Sequence, residues 1–139
     1  MSFTESITSV LRQYANFSGR ARRSEFWWFF LFQFLVSLAA SIVDATIGTD
    51  DLLGNSGWGL LQILVFLTLF LPGLAVGARR LHDTDRSGWW LLIGIIPFVG
   101  FIVLLVFFAL DSTPGPNQYG PSVKSPPLTP PAQPGYAQP

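Results

Sequence analysis

The chain has 139 residues, of which 50% are hydrophobic, 15% aromatic and only 12% charged. Soluble domains carry about 25% charged residues, so much of this exterior must face something other than water. A formal net charge of zero removes the electrostatic case for nucleic-acid binding, and the lack of cysteine excludes disulfides, thiolate nucleophiles and Cys-ligated zinc.

Residues 2–15 read as a short amphipathic helix. Phe3, Ile7, Val10, Leu11 and Tyr14 recur at helical spacing, and Ser2 with Glu5 forms a capping-box pattern. Such a helix is expected to lie on a membrane surface or to pack under the bundle. Residues 17–25 break the pattern and concentrate arginine. The apolar run begins only at Phe26 and no small-residue cleavage site follows it, so the first span is expected to be retained rather than removed as a signal peptide.

Three long apolar segments follow, about 26–43, 58–78 and 89–110. The shortest would cover roughly 27 Å as a helix, close to the roughly 30 Å hydrocarbon core. The expected fold is therefore all-α, a small bundle of three transmembrane helices with an N-terminal amphipathic helix. Residues 1–110 would be the membrane domain. Residues 111–139, with nine of the eleven prolines, would be a mostly disordered polyproline-rich tail.

Arginine sets the expected orientation. Arg12, Arg20, Arg22 and Arg23 precede the first span, and Arg79, Arg80 and Arg86 follow the second. The loop between them carries only Asp44, Asp50 and Asp51. The positive-inside rule places the N-terminus and the 79–88 loop in the cytoplasm. Three full crossings would put the tail, with Lys124, outside. Pro97 and Gly100 interrupt the third segment, which is expected as one kinked crossing. The alternative is a re-entrant hairpin that returns the tail to the cytoplasm. Trp27, Trp28, Trp89 and Trp90 would anchor cytoplasmic span ends, and Trp58 an outer end.

Polar groups within the spans read first as packing devices. Gln33, Ser37, Ser41 and Asp44 share one face of the first helix, and Gly73 and Gly77 form a GxxxG pattern that lets backbones approach. Pro72 leaves the carbonyl of Thr68 without its helical donor. The other reading is a polar path through an oligomeric small transporter or channel subunit.

Residues 79–88 hold the densest polar cluster. Its plain reading is a capped turn whose topology arginines are neutralised by nearby aspartates. Arg79, Arg80 and Arg86, with His82 and Asp83, would alternatively contact lipid headgroups or a partner, and His82, Asp83 and Asp85 are a third reading as metal ligands. Three ligands within four residues make an awkward cage. There is no nucleophile elbow, phosphate loop or His-Glu-x-x-His motif. No enzyme activity, cofactor or resident metal is expected.

The motifs themselves carry a resemblance. Residues 17–28 (Phe-Ser-Gly-Arg-Ala-Arg-Arg-Ser-Glu-Phe-Trp-Trp), 71–76, 78–90 (Ala-Arg-Arg-Leu-His-Asp-Thr-Asp-Arg-Ser-Gly-Trp-Trp) and 113–121 resemble the bacterial "domain of unknown function 805" (DUF805) family of YhaH-like inner-membrane proteins. The likeness covers roughly residues 10–121. It implies a multi-pass protein of the bacterial plasma (inner) membrane without an assigned activity, and it supplies no catalytic residue. Asp85 departs from the family's frequent glycine, which argues against a tight glycine turn there. Asn117–Pro121 belongs to the pattern, so that part of the tail would be ordered against the bundle with Tyr119 at the interface. The expected function is interaction with membrane protein partners, a second copy or anionic lipid.

Overall fold

The computed structural model describes residues 1–50, 53–54 and 57–124. Its described part is helical: α1 (Phe3–Arg12), α2 (Arg23–Ile47), α3 (Leu60–Asp83), a 3₁₀ segment (Gly88–Ile95) and α4 (Val99–Ala109). Asp51 of the acidic loop and residues 125–139 of the Pro-rich tail lie outside the described residues.

The capping box opens α1 as its sequence requires. The Ser2 backbone N–H donates to Glu5 Oε2 at 2.8 Å, and the Glu5 N–H donates to Ser2 Oγ at 3.3 Å. These bonds, the Ser2 backbone first, hold the Glu5 carboxyl below its usual range. Their contribution is present above the ordinary carboxylate pKa and fades as pH falls through the lowered one. The helix packs against α2, with Ser6 and Val10 buried and the Phe3 ring edge-on to Trp28 at 5.7 Å.

α2 and α3 have 25 and 24 residues, and both are long and apolar enough to cross a membrane. They run antiparallel, since Glu25 meets Arg79 at one end and Asp44 meets Leu61 and Gln62 at the other. The Asp44 carboxylate accepts from the backbone N–H of Leu61 at 3.1 Å and of Gln62 at 2.9 Å. The orphan donors of α3 are thus capped by a side chain of α2. Gly59 stands at the N-cap itself, where any Cβ would collide with the Asp44 side chain. Asp44→Ala is expected to cost about 1–3 kcal/mol, since two donors lose their acceptor. A thermal melt in detergent reads it, and an unchanged midpoint would refute this role.

The small-residue pattern of α3 is used inside one chain. Gly73 lies against Gln33, where a Cβ would stand 3.3 Å from its Oε1. Gly77 lies against Leu91 and Phe108. Pro72 does free the Thr68 carbonyl, and the Tyr14 hydroxyl donates to it at 2.5 Å. Along the polar face of α2, Asp44 is buried, Gln33 and Ser37 are half-buried and Ser41 is exposed.

Three stretches depart from the expected course or extend it. First, α3 runs past Ala78, where the expected apolar span ends. It continues through Arg79, Arg80 and His82 to Asp83, because partners from distant segments neutralise those charges. Second, a tight turn does form at Asp85. Its φ is +60°, its N–H donates to the His82 carbonyl and the Arg86 N–H to that of Leu81, the pairing of a Schellman helix end. Aspartate tolerates the left-handed region better than most residues. Asp85→Gly should still stabilise by about 0.5–1 kcal/mol, the steric relief exceeding glycine's entropy cost. A raised melting temperature would check it and a lowered one would contradict it.

Third, residues 88–110 are a hairpin and not one kinked helix. The 3₁₀ arm and α4 lie antiparallel, with Trp90 edge-on to Phe107 at 5.5 Å and Gly94 beside Leu104. They reverse in a γ-turn at Phe98 (φ +62°), closed by the Val99 N–H donating to the Pro97 carbonyl at 2.7 Å. Gly100 permits the close approach, because a Cβ there would overlap the Ile93 carbonyl. Both ends of the hairpin therefore meet the Arg79–Asp83 end of α3. Residues 111–120 follow as a strap bonded to that end rather than as a loose tail.

Candidate functional site

The strap, the loop before α2 and the last turn of α3 enclose a buried polar cluster. Asp83 is its hub, with a fully buried carboxylate. Arg20 Nε donates to Asp83 Oδ1 at 2.9 Å, Arg80 Nη1 pairs with Oδ2, and the Ser112 hydroxyl donates to Oδ2. The remaining Arg20 nitrogens collect strap carbonyls, those of Thr113 and Gly115 at 2.8 Å each.

Helix α4 ends in carbonyls without helical donors, and arginines cap them. Arg80 Nε donates to the Phe108 carbonyl at 3.1 Å and its Nη2 to that of Leu110, while Arg23 Nη1 donates to that of Ala109 at 3.2 Å. The strap closes over α3 through the Thr113 N–H on the Asp83 carbonyl at 3.0 Å and Asn117 Nδ2 on the His82 carbonyl at 2.8 Å. The Tyr119 ring stacks on His82, centroids 3.9 Å apart and 4° from parallel.

A second buried pair lies beside the first. Arg79 Nη1 donates at 3.1 Å to both Glu25 Oε1 and Gln13 Oε1, and the Ser9 hydroxyl donates to the same Glu25 oxygen at 3.0 Å. Three buried guanidiniums thus face two buried carboxylates. Arg79 Nε and Nη2 are buried without a protein partner among the described residues. Arg86 stands apart, its guanidinium 4.4 Å from the centroid of the Phe107 ring.

This geometry separates the candidate residues. Arg79, Arg80 and Asp83 are internal to the fold, so neither arginine is a surface cation. His82 Nδ1 is held 3.1 Å from the Gly19 carbonyl, the Asp83 oxygens are occupied by arginine, and Asp85 faces Gln118. The three side chains do not converge on one point. Sequence reading did not single out Arg20, Glu25, Ser112, Thr113 or Asn117 as site residues. Their available signal was shared: each lies in, or next to, a stretch that carries the family resemblance, and those stretches meet here.

Trp28, Trp58, Trp89 and Trp90 are exposed, and Trp27 is half-buried against Phe26 and Phe30.

A family model described as "Protein of unknown function (DUF805)" matches residues 14–121. The chain belongs to the DUF805 family. Among its relatives, "Inner membrane protein YhaI" of Escherichia coli (strain K12) is 46% identical over 112 residues, covering 81% of this chain and 89% of that protein. "Inner membrane protein YhaH" of the same strain is 42% identical over 115 residues, covering 83% and 93%. No solved structure matches. The DUF805 match ends at residue 121, one residue beyond the bridge between Asn117 and Gly120, so the strap belongs to the family unit.

Proposed function

We propose that this DUF805 chain is a non-enzymatic inner-membrane protein with two crossings, a re-entrant hairpin, and its N-terminus and strap both in the cytoplasm. It acts through contacts with membrane protein partners or anionic lipid. The clamp of Arg20 and Arg80 on the strap supports this reading. It ties residues 108–115 to the end of the bundle rich in arginine, the end that the positive-inside rule favours for the cytoplasm. All eight Lys and Arg residues then lie on one side. Each hairpin arm is roughly 16 Å long, about half the roughly 30 Å hydrocarbon core.

The lipid contact moves from the residues first suggested by the sequence. With Arg79 and Arg80 inside the fold, the exposed arginines without an ion pair among the described residues are Arg12 and Arg22. A transporter or channel path is less well supported, because Asp44 caps α3 and Gln33 packs on Gly73.

Quantifying lipid and crosslinked protein that copurify from native membranes tests the proposal. Anionic phospholipid enrichment should fall by half or more in Arg12→Gln/Arg22→Gln, with the melting temperature retained. A monomer with neither reproducible partners nor any lipid preference would overturn the proposal.

A further inference from the structure

A crevice of about 240 Å³ opens between α2, α3 and the hairpin. Its walls carry Phe26, Phe29, Phe30, Phe70 and Phe108, and a single polar side chain, Gln33, lines it. Phe29 and Phe108 are buried, while Phe30 and Phe70, each 47% exposed, stand at the rim.

Gln33 lies ten residues into α2, roughly 15 Å along the helix and so deep in the apolar layer. Its carboxamide rests against Gly73 and makes no hydrogen bond among the described residues. An amide in an apolar medium without a partner costs on the order of several kcal/mol, and lipid tails offer none. A carbonyl or N–H on a molecule in the crevice would pair with this half-buried amide.

We infer that the crevice binds the ring of a lipid-soluble molecule carrying a carbonyl, a compound of the quinone class. Flat rings pack favourably edge-on or offset against phenyl groups. The Gln33 amide donates a hydrogen bond to a ring carbonyl. The volume lies just under the roughly 300–1,000 Å³ of drug-sized pockets, so it takes a small headgroup and leaves any tail in lipid.

Equilibrium binding of decylubiquinone to the full chain in nanodiscs tests this, with decylbenzene as the ring-and-tail control that lacks carbonyls. Saturable binding should weaken at least tenfold in Gln33→Leu. It should also weaken in Gly73→Ala, whose methyl displaces the amide, and both variants should keep the wild-type melting temperature. If Gln33→Leu does not fold, Gly73→Ala alone decides. Wild-type affinity in a folded variant overturns the inference. So does decylbenzene competing as well as the quinone, which marks a plain apolar groove. Self-association that depends on Gln33 would assign the amide to a second copy and overturn it equally.

Discussion

Asp83→Asn is expected to lower stability by about 3–5 kcal/mol, the range for breaking a buried charge pair. The carboxylate is fully buried and accepts from Arg20, Arg80 and Ser112. Asparagine keeps the shape but removes the charge, leaving two guanidiniums side by side without an anion in a region of low dielectric. The same motif holds its own control. The Asp85 carboxylate is exposed and, among the described residues, bonds only Gln118, so Asp85→Asn should stay within about 0.5 kcal/mol. Removing one cation as well, in Asp83→Asn/Arg20→Gln, should recover part of the loss, because the two sites are directly coupled. Thermal melts of the three variants in one detergent measure this. Equal effects at Asp83 and Asp85 would contradict the hub assignment.

Gly100→Ala carries the second large effect, about 3 kcal/mol, at the upper end of ordinary overpacking. A single methyl would overlap the Ile93 carbonyl, which is backbone and cannot rotate away. The two hairpin arms must then separate. Gly94 provides the comparison, since a Cβ there would meet only the Leu104 Cδ1 methyl at 3.1 Å, the far end of a flexible side chain. Gly94→Ala should therefore cost much less. A ranking in which Gly94→Ala is the worse variant would mean that the arms are not packed as described.

Much of the fold was legible because it follows from local chemistry. The apolar runs of α2 and α3 declare themselves by length, and Ser2 with Glu5 announces the start of α1. Pro97 and Gly100 marked the break in the third segment. Which way the chain turned after that break was not legible from residues 89–110 alone. The direction is set by Arg80 and Arg23 gathering the last carbonyls of α4, and by Arg20 holding the strap.

The distant partners of the arginine-rich run were not legible for the same reason. A run such as Arg79-Arg80-Leu81-His82-Asp83 looks solvated when viewed alone. It is buried here because its partners, Glu25, Arg20 and Ser112, arrive from 29 to 63 residues away in sequence. Arg79 and Arg80, which the positive-inside count includes, lie inside the fold. Gly73 lies against Gln33, and Gly77 against Leu91 and Phe108, all of the same chain.

By the proposed topology the hairpin returns the strap to the side of the N-terminal arginines. Fusing alkaline phosphatase, active only outside, or a fluorescent protein that folds only in the cytoplasm, after residue 121 tests it most directly. Bright fluorescence and no phosphatase activity are expected, matching a fusion at the N-terminus. Phosphatase activity without fluorescence would place the strap outside and contradict the clamp between Arg20, Arg80 and residues 108–115.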